Sequence, residues 1–204
     1  MNNLHALPEG ARALYVLAPG AGAGMRHPFM EAIAQALESH RVGTLRYEFP
    51  YMEKKSRRPD APAVAAARVR EAVEEAARVA PGVPLIAGGK SFGGRMTSTA
   101  QAEEPLPGVR GLAFLGFPLH SPGKPGIERA AHLERVGVPM LFLQGTRDDF
   151  ARLDLLWPVV EGLGPRAALH LVEGGDHSFK VPKRPPADVI GELAGAVRAW
   201  VERL

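Results

Sequence analysis

Short apolar runs alternate with longer amphipathic stretches throughout this chain of 204 residues. Most of these runs are continuous rather than interleaved with polar residues, which is typical of strands that a parallel sheet buries on both faces. The pattern predicts six strands, at residues 14–18, 42–49, 85–87, 112–115, 140–144 and 169–172.

The stretches between these strands show the spacing of helices. In residues 28–39, Phe29, Ile33 and Leu37 lie four positions apart and would share one helix face. Asp60 is placed to cap the next helix, because a carboxylate before the first turn can accept its free amides. Helices are predicted at residues 28–39, 61–80, 92–103, 151–162 and 187–204, the fourth interrupted near Pro158.

Alternating strands and helices predict an α/β fold with a mostly parallel, doubly wound sheet of about six strands and helices on both faces. We expect one domain over residues 1–204, since the length suits a single core. No insertion is long enough for a separate lid domain. The loop at residues 118–125 is rich in proline and glycine and is the best candidate for a wall over a site.

Composition excludes several kinds of site and partner. The chain has no cysteine, which excludes disulfides, thiolate metal sites and a cysteine nucleophile. The net charge is only +3 and aromatic residues are few, so we expect no nucleic-acid partner, and we interpret the basic residues 54–58 as a solvated loop. No apolar run reaches the roughly 20 residues of a membrane span. We expect a cytoplasmic protein with no membrane partner, metal or cofactor.

The most informative stretch is residues 85–96. An apolar run ends in two glycines, Ser91 follows with Gly89 two positions before it and Gly93 two positions after it, and a helix then begins. Gly-x-Ser-x-Gly between a strand and a helix is the nucleophile elbow, a sharp turn that lifts a serine hydroxyl above the sheet edge. We interpret Lys90, beside this serine, as structural or solvated.

Two phosphate-binding motifs compete with this interpretation. Gly89-Lys90-Ser91 also ends a P-loop, but that motif requires glycine at position 84, where Pro84 has no N–H to offer a phosphate. Gly20 and Gly22 begin a dinucleotide fingerprint, but position 25 is Met, and only Glu48 is placed to contact a ribose. Both motifs are therefore less favoured than the elbow.

A nucleophilic serine needs a base and an acid that orients it. Among seven histidines, His177 alone follows a late strand in a tight glycine-containing loop. Asp148 follows the strand at residues 140–144 and is the favoured acid. Asp149 is expected to point elsewhere, and Asp176 to stabilise the loop of His177. The order Ser91, Asp148, His177 is that of one serine-hydrolase fold.

An oxyanion hole requires two backbone N–H donors. Phe92 directly follows the serine and is expected to supply one. The loop after the first strand, residues 19–24, is built of small residues and is expected to supply the other from Ala21, with Gly22 as the alternative.

With these residues in place, the chain resembles the α/β-hydrolase superfamily over nearly its whole length, and most closely its small, lidless, dienelactone-hydrolase-like branch. The segments at residues 18–22, 88–95, 116–120 and 144–148 are similar to a bacterial family of predicted hydrolases whose eukaryotic relatives include a subunit of a chromatin-modifying complex. The resemblance implies a triad of Ser91, Asp148 and His177 with the Ala21 and Phe92 amides. Two features depart from the superfamily: Pro19-Gly20 replaces the usual His-Gly, and its first antiparallel strands are missing or vestigial.

The leading hypothesis is a serine hydrolase that cleaves carboxylic esters or thioesters of small molecules through an acyl-enzyme. The alternative is a non-catalytic binding or scaffold protein on a hydrolase fold. Without a large lid, small or exposed acyl groups are expected rather than long-chain lipids. The side chains nearest to predicted strand ends, and so the candidates for contact with substrate, are Arg26, His27, Tyr51, Phe117, Leu119, His120 and Phe179.

Overall fold

The computed structural model describes residues 1–204, and its centre is a single seven-stranded sheet. The strands are β1 (Asn3–Ala6), β2 (Ala13–Ala18), β3 (Val42–Tyr47), β4 (Leu85–Lys90), β5 (Val109–Leu115), β6 (Met140–Gly145) and β7 (Ala167–Val172). Their order across the sheet is β1-β3-β2-β4-β5-β6-β7. All neighbours are parallel except β1, which pairs antiparallel with β3.

Helices cover both faces of this sheet. They are α1 (Pro28–Ser39), α2 (Pro50–Glu53), α3 (Pro62–Val79), α4 (Phe92–Glu103), α5 (Leu153–Gly162) and α6 (Pro186–Val201), with 3-10 helices at Glu128–Arg135 and Gly164–Arg166. Buried side chains of α3, α4 and α5 form one apolar core with the sheet, and those of α1 and α6 form a second core on the other face. The predicted doubly wound α/β architecture is therefore confirmed.

The residues of the central strands explain why both faces can be covered. Every residue of β2 is buried, and the apolar side chains of β5 and β6 pack alternately into the two cores. Phe114 and Phe142 pack with their ring centroids 4.9 Å apart on the α4 face, whereas Trp200 of α6 closes the other core. Continuous apolar runs of this kind suit only a sheet that is buried on both sides.

The seventh strand is where the sequence-based prediction fell short. β1 lies at the sheet edge and pairs Asn3 with Tyr47 and Ala6 with Thr44. It has four residues, none of them fully buried, so it lacks the continuous apolar run that marks the interior strands. One short antiparallel strand thus precedes the parallel part of the sheet.

Three local predictions were also wrong. Asp60 does not cap α3, whose N-cap is Ala61, because its carboxylate instead accepts the amide of Tyr51 at 3.0 Å. Helix α5 continues through Pro158. The proline removes only one hydrogen bond, and the buried side chains of Leu156 and Val160 hold the helix in the core. Helix α2 was not predicted, as four residues are too few to show a periodicity.

No helix of the protein combines the length and the apolar character needed to cross a bilayer. No inserted segment forms a separate lid, so the carboxyl edge of the sheet is covered only by the loops that follow its strands. These loops position the site described next.

Candidate active site

Ser91 occupies the turn between β4 and α4 in a strained backbone conformation. Its φ of 49° and ψ of −117° lie outside the regions that residues with side chains normally adopt. Hydrogen bonds hold the turn on both sides: the Ser91 amide donates to the carbonyl of Leu115 at 3.2 Å, and the Arg95 amide donates to the carbonyl of Ser91 at 3.1 Å. The predicted strand–turn–helix elbow is therefore present.

Two glycines make this turn sterically feasible. Gly89 has a φ of 141°, and a Cβ atom there would lie 2.1 Å from the carbonyl oxygen of Ala18. A Cβ at Gly93 would lie 2.5 Å from the carbonyl oxygen of Pro19. Both glycines let β4 and the first turn of α4 approach the backbone at the end of β2 more closely than any side chain allows.

The loop after β7 carries His177 to Ser91. The imidazole Nε2 lies 2.9 Å from Ser91 Oγ, and Nδ1 lies 2.7 Å from Asp148 Oδ2. Asp176 holds the loop from beside the histidine, since its Oδ1 accepts the amides of Ser178 at 2.8 Å and Lys180 at 2.9 Å. The three predicted residues thus form one continuous chain of hydrogen bonds.

Asp148 is buried in the turn that follows β6. One carboxylate oxygen accepts the amide of Phe150 at 2.7 Å, and the other accepts a hydrogen bond from Gln144 Nε2 in addition to its contact with His177. Its side chain has no exposed surface, while that of His177 is 20% exposed. The carboxylate is therefore fixed in direction beneath an imidazole that faces the solvent side.

Two amides are available beside Ser91. Phe92 is the first residue of α4, so its N–H has no acceptor within the helix and lies at the positive end of the helix dipole. The loop after β2 packs against the elbow at Gly20, and the N–H of Ala21 has no acceptor in the protein. Gly22, the alternative, already donates its N–H to the hydroxyl of Tyr51 at 3.2 Å.

A cleft of about 490 Å³ opens over these groups. It contains Ser91 and His177 with Gly20, Ala21 and Lys90, and its further lining residues are Ala23, His27, Phe29, Met30, Phe150, Ser178 and Lys180. No acidic side chain borders it. The arrangement provides an open pocket that contains the hydroxyl of Ser91 and the imidazole of His177 beside the loop of Ala21.

Comparison with known proteins identifies the family that has this architecture. The family profile described as an alpha/beta hydrolase domain matches residues 11–203. The chain belongs to the α/β hydrolase family. This agrees with the elbow at Ser91 and with the parallel sheet on which it stands.

Solved structures of other α/β hydrolases share the fold across the chain. Dienelactone hydrolase from Anabaena variabilis is 19% identical with a TM-score of 0.77, and the match covers 98% of this chain and 90% of that one. A serine hydrolase without a lid from Xanthomonas campestris is 20% identical with a TM-score of 0.74, covering 97% and 88%. Est1E from Butyrivibrio proteoclasticus, solved with ferulic acid bound, is 14% identical with a TM-score of 0.77, covering 100% and 96%. The likeness to the lidless, dienelactone-hydrolase-like branch is thereby confirmed for the fold.

Several side chains proposed from the sequence to contact substrate lie elsewhere in this α/β hydrolase. Of that set, only His27 lines the cleft. Arg26 is exposed outside the cleft, and Leu119 is buried in the α4-side core together with Phe117. Tyr51 packs beneath the loop after β2, where its ring stands at 89° to that of Phe92.

The other two misplaced residues hold loops together. His120 is buried between the carbonyl of Ser121 and the amide of Arg152, at 3.0 and 3.1 Å. Phe179 turns away from Ser91 and stacks on Phe29 with ring centroids 5.9 Å apart. No residue of the loop at 118–125 lines the cleft, so this loop is not its wall.

Lys90 takes the first of its two interpretations, structural rather than solvated, because its ammonium donates to the main-chain carbonyl of His177 at 2.6 Å. Two other residues of the site were missed. The ring of Phe150 stacks on the imidazole of His177 with centroids 4.2 Å apart. Only Gln144, whose side-chain amide donates a hydrogen bond to Asp148, could have been recognised from the sequence. A polar residue at the end of a buried apolar run needs a buried hydrogen-bond partner.

Replacing Gly93 with alanine tests the steric account of the elbow. We expect Gly93→Ala to lower the free energy of unfolding by about 2–4 kcal/mol, because its Cβ meets rigid backbone. The measurement is urea unfolding followed by circular dichroism. Gly195→Ala in α6, where a Cβ meets no atom within 4 Å, is the matched control and should keep or raise the stability. Equal stability of the two variants would contradict the account.

Proposed function

We propose that this α/β hydrolase is a serine hydrolase that cleaves carboxylic ester or thioester bonds of small molecules. Ser91 is the nucleophile, His177 the general base and Asp148 the residue that orients the base. The observation that carries the proposal is the pair of contacts at His177, 2.9 Å to Ser91 Oγ and 2.7 Å to Asp148, around a serine held in a strained turn.

In the proposed resting site, His177 Nδ1 carries the hydrogen and donates it to Asp148, which leaves Nε2 to accept the Ser91 hydroxyl. The contact of Nδ1 with a carboxylate and of Nε2 with a hydroxyl supports this tautomer. The Phe150 amide and Gln144 occupy further acceptor positions of the carboxylate and keep it from rotating. The base is therefore presented to the nucleophile in the tautomer that can remove its proton.

Catalysis then proceeds in two displacements. Ser91 Oγ bonds to the carbonyl carbon as its proton passes to His177 Nε2, and the carbonyl electron pair moves onto oxygen, where the amides of Phe92 and Ala21 receive it. The intermediate collapses with loss of the alcohol or thiol, which takes the proton from Nε2. Water, deprotonated by His177, attacks the acyl-enzyme and releases the carboxylic acid and Ser91.

The size and openness of the site support a small-molecule substrate. The cleft has about 490 Å³ and no separate lid covers it, so a compact ester can reach Ser91 directly. The named relatives with this fold include a dienelactone hydrolase and a lidless serine hydrolase, which agrees with chemistry at an acyl carbon.

Loss of the Ser91 hydroxyl tests the proposal directly. We expect Ser91→Ala to reduce hydrolysis of nitrophenyl esters by roughly 10⁵–10⁶-fold, because the variant has no nucleophile. Circular dichroism should show an unchanged fold. A fluorophosphonate probe should label the unaltered protein and not the variant. An unaltered protein that stays unlabelled and hydrolyses neither esters nor acyl thioesters would favour the non-catalytic scaffold instead.

Removing the hydroxyl of Tyr51 tests whether the loop at residues 19–24 supplies an oxyanion donor. This hydroxyl accepts a hydrogen bond from the Gly22 amide at 3.2 Å and so holds the loop that presents the Ala21 amide. We expect Tyr51→Phe to lower kcat/KM by about 2- to 10-fold, the effect of one hydrogen bond of about 0.5–1.5 kcal/mol. The ring contacts with Phe92 and Phe49 are kept.

The control for this variant is Tyr47→Phe. Tyr47 packs edge-on against Phe49 in the same aromatic cluster, and its buried hydroxyl makes no hydrogen bond to the oxyanion loop. Ester hydrolysis by this control should match that of the unaltered protein. Unchanged kinetics in Tyr51→Phe as well would remove Tyr51 from the account of the oxyanion hole.

A further inference from the structure

A second cavity adjoins the catalytic cleft. It has a volume of about 400 Å³ and lies between α1, α6 and the segment that follows His177. We call it the α1–α6 groove. Its apolar walls are formed by Phe29 and Ala32 of α1, Phe179 and Val181 of the connecting segment, and Val189 and Ile190 of α6.

The groove and the catalytic cleft meet along a shared wall. Phe29, Ser178 and Lys180 line both cavities, and Ser178 directly follows His177 in the chain. A ligand whose reacting carbonyl sits at Ser91 can therefore extend past Ser178 into the groove. Another groove, of about 460 Å³ beside the 3-10 helix Glu128–Arg135, contains none of the residues around Ser91.

The chemistry of the walls selects a non-polar occupant. Arg184, the charged side chain at the α6 rim, is paired with Glu192 at 2.5 Å and so presents no free charge. Lys180 stands exposed at the junction of the two cavities. The remaining surface is hydrocarbon and aromatic, which gains free energy when a non-polar group displaces water from it.

We propose that the α1–α6 groove binds the hydrocarbon part of the acyl group, so that the protein prefers esters of non-polar acids of several carbons over acetyl esters. This rests on the proposed serine-hydrolase function, whose nucleophile lies in the adjoining cleft. It adds a substrate class and a binding site to that function.

A series of nitrophenyl esters from acetate to hexanoate tests the preference. We expect kcat/KM to rise by about four-fold for each methylene that enters the groove. Ala32→Phe should fill the groove, leaving acetate hydrolysis within about two-fold of the unaltered protein while removing the gain for hexanoate. The proposal would be overturned by equal kcat/KM for all esters of the series in an active protein. It would also be overturned if kcat/KM still rose with acyl length in Ala32→Phe.

The matched control for this series is Ala131→Phe. It adds the same side chain to the apolar groove beside Glu128–Arg135, where Ala131 is exposed. Its dependence on acyl length should be that of the unaltered protein. Loss of the hexanoate gain in this control would mean that the effect of Ala32→Phe does not report the α1–α6 groove.

A binding measurement separates failure of the groove from failure of the catalytic account. The Ser91→Ala variant, titrated with nitrophenyl hexanoate, should show shifts in the methyl resonances of Val181 and Ile190 that nitrophenyl acetate does not cause. Absence of these shifts overturns the groove proposal. Their presence in a protein that hydrolyses no ester supports the groove and contradicts the serine-hydrolase function.

A different observation concerns Lys90, whose side chain lies beneath the loop that carries His177. Lys90 ends β4 directly before Ser91 and shares a strand face with Ile86, which packs toward α1 and α6. Its Nζ donates to the main-chain carbonyl of His177 at 2.6 Å and lies 5.4 Å from the ring centroid of Phe179. One side chain thus joins the nucleophile strand to the loop of the base.

The ammonium of Lys90 is charged at neutral pH. Burial lowers the pKa of Lys90 to about 8, and the negative charges of Asp148 and Asp176 partly offset this effect. A charged donor makes a stronger hydrogen bond to a carbonyl oxygen than a neutral one.

Independently of the groove, we infer that Lys90 is a positioning residue of the proposed triad. Its hydrogen bond holds the His177 loop over Ser91. The inference rests on His177 acting as the general base.

Rescue by conservative variants tests this positioning role. Lys90→Met removes the hydrogen bond, and we expect it to lower kcat for nitrophenyl esters by about 10-fold with KM nearly unchanged. Lys90→Arg and Lys90→Gln keep an N–H donor and should recover part of this loss. Unaltered kcat in folded Lys90→Met, or an equal loss in all three variants, would overturn the inference.

Lys124→Met is the control, since it removes an exposed lysine that lines neither cavity. Its kcat should match that of the unaltered protein, and an equal loss there would contradict a specific role for Lys90. The ring resonances of His177, assigned with His177→Asn, should move in Lys90→Met and return toward their unaltered positions in Lys90→Arg, which reports the contact without turnover. Moved resonances in a protein that hydrolyses no ester would support the positioning role of Lys90 while refuting the catalytic function.

Discussion

The structure depends on one close approach, that of the turn at Ser91 to the end of β2. Gly89 and Gly93 face the carbonyl oxygens of Ala18 and Pro19 at distances that exclude a Cβ atom. This contact forces Ser91 to a φ of 49° and places the first amide of α4 beside its hydroxyl. Because the same backbone segment of β2 continues into the loop of Ala21, the nucleophile and both candidate oxyanion donors are set by a single steric constraint.

A second set of contacts ties this turn to the later strands. Parallel strands bring their carboxyl ends to one edge, where the residues after β6 and β7 meet the end of β4. Gln144 and the Phe150 amide fix the carboxylate of Asp148, Asp148 fixes the imidazole of His177, and Lys90 holds the carbonyl of His177 from below. Each polar group buried here has a partner, so the site is held as one network rather than as independent side chains.

The architecture and the three clustered residues were predictable because they depend on local signals. Glycines around a serine define the elbow, and a histidine or aspartate directly after a buried run must lie at the carboxyl edge of the sheet. Predictions of substrate contacts used the same rule, yet Leu119 and His120 are buried outside the cleft, and Phe179 lines the adjoining α1–α6 groove instead. Position at a strand end indicates the edge of the sheet, but it does not indicate whether a side chain turns into the cleft, into the core or toward another loop.

By itself, the sequence determined the α/β fold, the elbow at Ser91, and an acid and a histidine in the order that brings them to the same sheet edge. Only the tertiary structure decided that Lys90 reaches the His177 loop, that the Gly22 amide is taken by Tyr51, and that α1 and α6 leave an apolar groove beside the cleft. The physical reason is the range of the interactions. Strand and helix patterns and turn chemistry act over a few neighbouring residues. The first two of these contacts join residues 87 and 29 positions apart, α1 and α6 lie farther apart still in the chain, and packing of the whole sheet sets their approach.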